Sequence, residues 1–125
     1  MKFQVIYASY PGGNTRKMLQ NLEREVISHA ATCVTILAGT NDALNPNAMV
    51  EIDEFNANMS HIITEITKSG SKIILLTPPP IYLPDFKSRY PDDSIHGSEG
   101  PVTRLMRYVT SCRRMAGALD LPIVD

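Results

Sequence analysis

Two cysteines, no tryptophan and no long apolar run mark what this 125-residue sequence has least of, and each scarcity closes off a class of function. Cys33 and Cys112 lie far apart, form no Cys-x-x-Cys and have no His pair nearby, so no metal centre and no dithiol redox site is expected. Both thiols are instead expected in the core of a protein kept in a reducing compartment. No stretch reaches the roughly 18 apolar residues that a membrane span needs. Met1-Lys2 leads directly into Phe-Gln-Val-Ile-Tyr-Ala, without the apolar h-region and small-residue cleavage pattern of an export signal, so a cytoplasmic location is expected for the chain as written. Charge is equally unbiased. With 12 basic against 13 acidic residues, a net charge of −1 and no run of one sign, nothing marks a nucleic acid or an anionic membrane surface as partner. A small, near-neutral molecule is the better expectation. The length suits one domain, residues 1–125, with a modest core.

What is present is an alternation of strand and helix patterns. Phe3 to Ala8 is rich in β-branched and aromatic residues and runs into Pro11-Gly12-Gly13, which predicts a buried strand entering a tight turn. Asn14 is placed to cap a helix on which Met18, Leu19, Leu22 and Val26 recur at helical spacing. Cys33 to Ala38 is a second apolar strand, followed by a polar, Pro-bearing loop over Leu44 to Ala48. Then Ile52, Phe55, Met59, Ile62, Ile63 and Ile66 mark one face of a long helix that Gly70 ends. Lys72 to Thr77 is a third strand, apolar on both faces as central parallel strands are. A last helix over about Glu99 to Leu119 leads into Pro122-Ile123-Val124-Asp125. The order βαβαβαβ implies an α/β fold: a parallel sheet with right-handed crossovers and helices on both faces. Between Pro78 and Gly100, about 20 residues dense in Pro, Gly and Asp show no periodicity. A loop that long reads as part of a lid facing the substrate, or else as a mobile surface loop.

The chemistry-bearing residues cluster where the strands end. Ile36-Leu37-Ala38-Gly39-Thr40-Asn41-Asp42 is an apolar strand emptying into Gly-Thr-Asn-Asp, so Asn41 sits at the carboxyl end of a strand, where α/β folds bind ligands. A side-chain amide there is a neutral donor suited to a developing oxyanion. Taken alone, Asn41-Asp42 is equally a strand-terminal turn, and Gly12-Gly13 an ordinary turn before a helix. The run nevertheless resembles the third block of the SGNH (GDSL-type) hydrolases, and Ala8-Ser9-Tyr10-Pro11-Gly12-Gly13-Asn14-Thr15-Arg16 resembles their second block. Asn14-Thr15-Arg16, the helix at Glu54-Phe55-Asn56-Ala57-Asn58-Met59 and the strand exit Ile74-Leu75-Leu76-Thr77-Pro78-Pro79-Pro80 are most similar to the isoamyl acetate-hydrolysing esterase branch.

The resemblance implies a three-layer αβα, flavodoxin-like parallel sheet and hydrolysis of small or short-chain carboxylic esters without cofactor or metal. The Gly12 N–H and the Asn41 amide are the implied oxyanion donors. The first block, Gly-Asp-Ser with the nucleophile, is not in the chain, and the last, Asp-x-x-His, would follow Asp125. The domain is therefore expected to be truncated at both ends, and inactive by itself. Asp93-Ser94-Ile95-His96 has the Asp-x-x-His spacing at another position, where a solvated loop histidine is the plainer reading. His29 near the end of the first helix suits the helix dipole, and His61 is expected at the boundary of an apolar face. In the strand order 2-1-3-4-5 the missing segment lies between Phe3–Ala8 and Cys33–Ala38. Phe3–Ala8 then either pairs directly with Cys33–Ala38 or is left with an unpaired edge, and marginal stability or self-association is expected.

Two other readings share these residues. A non-catalytic remnant of an esterase domain has every feature named so far. A flavodoxin-like protein binding flavin mononucleotide fits Val5-Ile6-Tyr7-Ala8-Ser9 and the helix start at Gly13-Asn14-Thr15, where a phosphate would be cradled, but Pro11 removes an N–H from that cradle.

Overall fold

Lys72–Leu76 pairs in parallel along its whole length with Cys33–Leu37, Cys33 opposite Lys72 and Leu37 opposite Leu76, and these strands (β2 and β1) are the centre of the fold. The computed structural model describes residues 1–92 and 94–125. A short third strand, β3 (Ile123–Val124), adds to the other side of β2, again in parallel, with Leu75 opposite Ile123. The sheet order is β1-β2-β3, so β1 is an edge.

Three helices connect and cover these strands. Helix α1 (Thr15–Glu25) begins as its sequence dictates: the Asn14 side chain accepts from the Lys17 N–H at 3.1 Å. Helix α3 (Ile52–Lys68) presents Phe55, Met59, Ile62, Ile63 and Ile66 to the core and stops before Gly70 at φ +91°. Helix α5 (Gly100–Leu119) contributes Leu105, Tyr108, Cys112 and Ala116. Helices α1 and α3 touch, α3 and α5 touch, and α3 and α5 both lie on β2, so the three form one layer. The Phe55 and Tyr108 rings meet with centroids 5.0 Å apart at the heart of that layer.

The strands record this one-sided cover. Ile36, Ile73 and Leu75 are buried beneath the helices, whereas the alternate residues Thr35 and Leu37 are exposed and Ile74 and Leu76 half-buried. The architecture is a partial α/β fold of the SGNH-hydrolase type with one helix layer; helices on both faces, as the strand pattern suggested, are not found among the described residues. The apolar outward face of β2 nevertheless carries the pattern of a sheet covered on both sides.

Three sequence expectations are corrected here. Phe3–Ala8 forms no strand: its residues are largely exposed, and residues 1–9 make no backbone hydrogen bond to another part of the backbone. The sequence pattern was that of a strand, but among the described residues no strand pairs with this segment. Cys33 is exposed for the same reason, lying on the unpaired edge of β1, while Cys112 is buried as expected. The Pro78 to Gly100 stretch is not an irregular loop. It contains α4 (Leu83–Arg89), with Pro84 in its first turn, and a single 3₁₀ turn over Ser94–His96.

Candidate active site

Both crossovers that meet at the carboxyl end of β1 turn sharply, and both turns require glycine. Gly39 has φ +117°, and a Cβ there would lie 3.1 Å from Pro78 Cγ and 3.4 Å from the Phe55 ring. This residue starts the five-residue helix α2 (Thr40–Leu44), so Asn41 lies in the first turn of a short helix rather than in an open turn. Gly12 has φ +75° and stands in the turn that leads to α1.

The two turns are tied together by a residue that the sequence reading passed over. Asn45 Nδ2 donates to the Gly12 carbonyl and to Asn41 Oδ1, each at 3.2 Å. A backbone carbonyl can only accept, so this contact fixes the orientation of the Asn45 amide, and that in turn requires Asn41 to present its oxygen to Asn45. The Asn41 Nδ2 is thereby turned the other way. Among the described residues neither Asn41 Nδ2 nor the Gly12 N–H donates to a protein acceptor. The only sequence signal for Asn45 was its spacing, one helical turn after Asn41.

Beneath this pair lies a buried polar anchor. The Asp42 carboxylate, 1% exposed, accepts from the Thr15 N–H at 3.0 Å and the Thr15 hydroxyl at 2.5 Å. Asn58 Nδ2 of α3 donates to the same hydroxyl oxygen at 3.1 Å, and Asn14 Nδ2 donates to the Ala48 carbonyl at 2.8 Å. Burial pushes the Asp42 carboxyl above its ordinary value, with the two Thr15 bonds opposing. From the other side, buried Arg104 of α5 donates through Nε to the Ala43 carbonyl at 2.8 Å and through its terminal nitrogen to Glu51 at 3.1 Å. Tyr108 donates its hydroxyl to the Val50 carbonyl. The donors are therefore held from α1, α3 and α5 together.

Two cavities open beside Asn41. The smaller, about 220 Å³, is lined by Thr40, Asn41, Leu44 and Asn45 on one side and by Ile81, Phe86, Arg89 and Tyr90 on the other, so the Pro78 to Gly100 stretch forms its outer wall. The larger, about 770 Å³, runs along the open edge of β1 and is bounded on its far side by residues 4–10.

The histidines lie apart from these donors. His96 is 0% exposed, with Nε2 3.0 Å from the Leu44 carbonyl, to which it donates, and Nδ1 buried and, among the described residues, without a partner. The expectation of a solvated loop histidine is thus corrected: the 3₁₀ turn packs His96 against the Phe86 ring, centroids 5.3 Å apart. Asp93, the carboxylate of the Asp-x-x-His spacing, lies outside the described residues. His29 and His61 are both exposed on their helices. No three His, Cys, Asp or Glu side chains among the described residues gather where they could hold a metal ion, and no described helix is long and apolar enough to cross a membrane.

Solved structures similar to this chain include a lipase/acylhydrolase and acetylxylan esterases. A lipase/acylhydrolase from Enterococcus faecalis is 30% identical, with a TM-score of 0.73 over 91% of this chain and 51% of that one. The fold is that of the SGNH-type hydrolases. An acetylxylan esterase from Geobacillus stearothermophilus is 24% identical with a TM-score of 0.67, matching 91% of this chain and 50% of its own. The acetyl xylan esterase AlAXEase, at 19% identity and a TM-score of 0.72, matches 90% of this chain and 53% of its own. The chain thus spans about half the length of the hydrolases it matches. No protein-family model and no curated protein sequence matches it.

Proposed function

We propose that this SGNH-type chain is the oxyanion-binding half of a carboxylic ester hydrolase that acts on small or short-chain esters. One observation carries the reading: two neutral donors, the Gly12 N–H and Asn41 Nδ2, are joined through Asn45 and left without protein acceptors. In ester hydrolysis a hydroxyl attacks the carbonyl carbon, the carbonyl oxygen becomes negative, and preorganised donors stabilise that charge. Losing one such donor typically lowers turnover a hundredfold to a thousandfold. The 220 Å³ cavity against Asn41, walled by Ile81 and Phe86, has room for a short acyl or alcohol group.

The remaining parts of the reaction are not gathered at this site. His96, as the only buried histidine, is spent on the Leu44 carbonyl, and the hydroxyl-bearing block that precedes these two in the resembling family is not in the chain. We assign the chain by itself no turnover.

The test separates donor function from turnover. The purified chain is titrated with methylphosphonate, a small tetrahedral anion, while amide and side-chain NH₂ signals are followed by NMR. The expected result is a shift confined to the Gly12 amide and the Asn41 side chain, abolished in Asn41→Ala. Shifts elsewhere, with these two signals unmoved, refute the assignment of the donors.

A further inference from the structure

On the ester-hydrolase reading above, we infer that Arg89 selects the substrate: the ester taken by this site carries a carboxylate, held by the Arg89 guanidinium, a few bonds from the carbonyl that Gly12 and Asn41 receive.

The cavity beside Asn41 joins three chemistries in about 220 Å³. Asn41 stands in one wall as a neutral donor, and Leu44, Ile81 and Phe86 supply apolar surface. Arg89, in the opposite wall, is the only charged residue among the described residues that line it. An ester whose carbonyl meets Asn41 therefore lays its arm along apolar side chains toward a cation, with no acidic side chain to repel an anion. At about 30 Å³ for a water-sized group the cavity holds roughly seven such groups. A two-carbon arm ending in a carboxylate fits.

The guanidinium is unspent. Arg89 is exposed at the last position of α4, and no ion pair or side-chain hydrogen bond engages it among the described residues. Asp85, one helical turn earlier, forms no ion pair with it, and the Asp92 carboxylate accepts from the Ser94 N–H at 3.1 Å. A planar fork of N–H donors matches a carboxylate through two parallel bonds. Lys87, the other cation in the last turn of α4, does not line the cavity.

The wall that carries Arg89 is tied to the wall that carries Asn41. Phe86 packs on the Tyr90 ring, centroids 5.0 Å apart, and on His96 at 5.3 Å, and His96 Nε2 donates to the Leu44 carbonyl at the end of α2. The Tyr90 N–H closes α4 on the Phe86 carbonyl at 2.8 Å. Donor and cation are thus carried on backbone whose separation is set before a ligand arrives, which limits the ordering that binding must supply.

Two matched pairs of tetrahedral analogues test this by NMR titration of the purified chain. One places the arm on the acyl side: 3-phosphonopropionate against 3-methylbutylphosphonate, in which two methyl groups replace the carboxylate oxygens. The other places it on the alcohol side: the 2-carboxyethyl against the 3-methylbutyl monoester of methylphosphonate. In at least one pair the carboxylate should bind about fivefold tighter and shift the Arg89 Nε–H signal together with those of Gly12 and Asn41. Arg89→Gln should erase that preference. Lys87→Gln, which removes the same charge outside the cavity, should keep it. Both side chains are exposed, so neither change disturbs the core. No preference in either pair, with methylphosphonate still bound at Gly12 and Asn41, overturns the role of Arg89 and spares the donors. A preference that survives Arg89→Gln, or that Lys87→Gln removes equally, overturns it too. If methylphosphonate moves neither the Gly12 nor the Asn41 signal, the ester-hydrolase reading falls, and the role of Arg89 with it.

Discussion

Replacing Asp42 tests whether the anchor beneath the candidate donors stabilises the fold through its hydrogen bonds or costs stability through its buried charge. In Asp42→Ala the Thr15 N–H and hydroxyl, both buried, lose their acceptor. Hydrogen bonds to a charged group contribute about 1.5–3 kcal/mol each, and relief of the carboxylate's desolvation offsets part of the two. The expected net loss is about 3 kcal/mol. That is a large share of a domain stability of about 5–15 kcal/mol, and the midpoint should fall by roughly 10 °C. Asp42→Asn keeps an acceptor oxygen of the same shape for Thr15 and removes only the charge.

The pH dependence separates the two effects. Because burial raises the folded-state pKa of Asp42 above 3.8, the folded chain holds this proton more tightly than the unfolded chain does. Its contribution is therefore fully present below about 3.8 and fades as pH rises through the folded-state value. Urea unfolding followed by circular dichroism, repeated across acidic to neutral pH, gives the difference between parent and Asp42→Asn. That difference should move in favour of Asp42→Asn as pH rises. An Asp42→Ala loss under about 1 kcal/mol, or a parent-minus-Asn difference that does not change with pH, would refute the assignment.

Gly39→Ala forces a Cβ into the 3.1 Å gap to Pro78 at φ +117°, and should cost about 1–3 kcal/mol by thermal unfolding while displacing the Asn41 side-chain signals. Burial pushes the Cys112 thiol up to about 11, so in a thiol assay at pH 8 the purified chain should show one fast thiol, Cys33, with Cys112 reacting only on unfolding. A fluorophosphonate probe should leave the purified chain unlabelled; stoichiometric labelling, at the exposed Ser9 or Ser94 for instance, would overturn its assignment as inactive alone. Phe55→Ala empties the centre of the helix layer, where Phe55 is 0% exposed, and should cost about 3–5 kcal/mol in urea unfolding.

The elements that were legible in the sequence are those whose stabilising partners are close by in the chain or buried on one clear face. Asn14 caps α1 through Lys17, three residues on, and the Phe55 to Ile66 face of α3 is a 3.6-residue repeat against one core. Phe3–Ala8 failed because a strand's existence depends on its neighbour: the pattern was right for pairing, and among the described residues no strand pairs with it. Cys33 followed the same logic, since the side chain is as exposed as the edge it stands on. His96 and Arg104 were misjudged or missed because their partners are carbonyls of α2, Leu44 and Ala43, which are 52 and 61 residues away. No local pattern encodes such contacts. The resemblance singled out Gly12 and Asn41, but the residue that couples them is an Asn in a polar loop, a type common there for turn-forming reasons alone.

These contacts explain how half of a site keeps its shape beside an open sheet edge. The tie between the Gly12 turn and α2 does not pass through the edge of β1. It runs from Asp42 to Thr15, from Asn45 to Gly12, from Asn14 to Ala48 and from Arg104 to Ala43, all on the helix side of the molecule or at the strand ends. Pairing a new strand with β1 therefore adds to the sheet without rebuilding the donors. It follows that Val5→Pro/Tyr7→Pro, two changes in the segment that lines the larger cavity, should bind methylphosphonate within about twofold of the parent, because none of the four contacts involves residues 5 or 7. A loss on the order of tenfold, 1.4 kcal/mol of coupling between that segment and the site, would mean that residues 4–10 help to set the orientation of Asn41, and that the donors are not preorganised by the helix side alone.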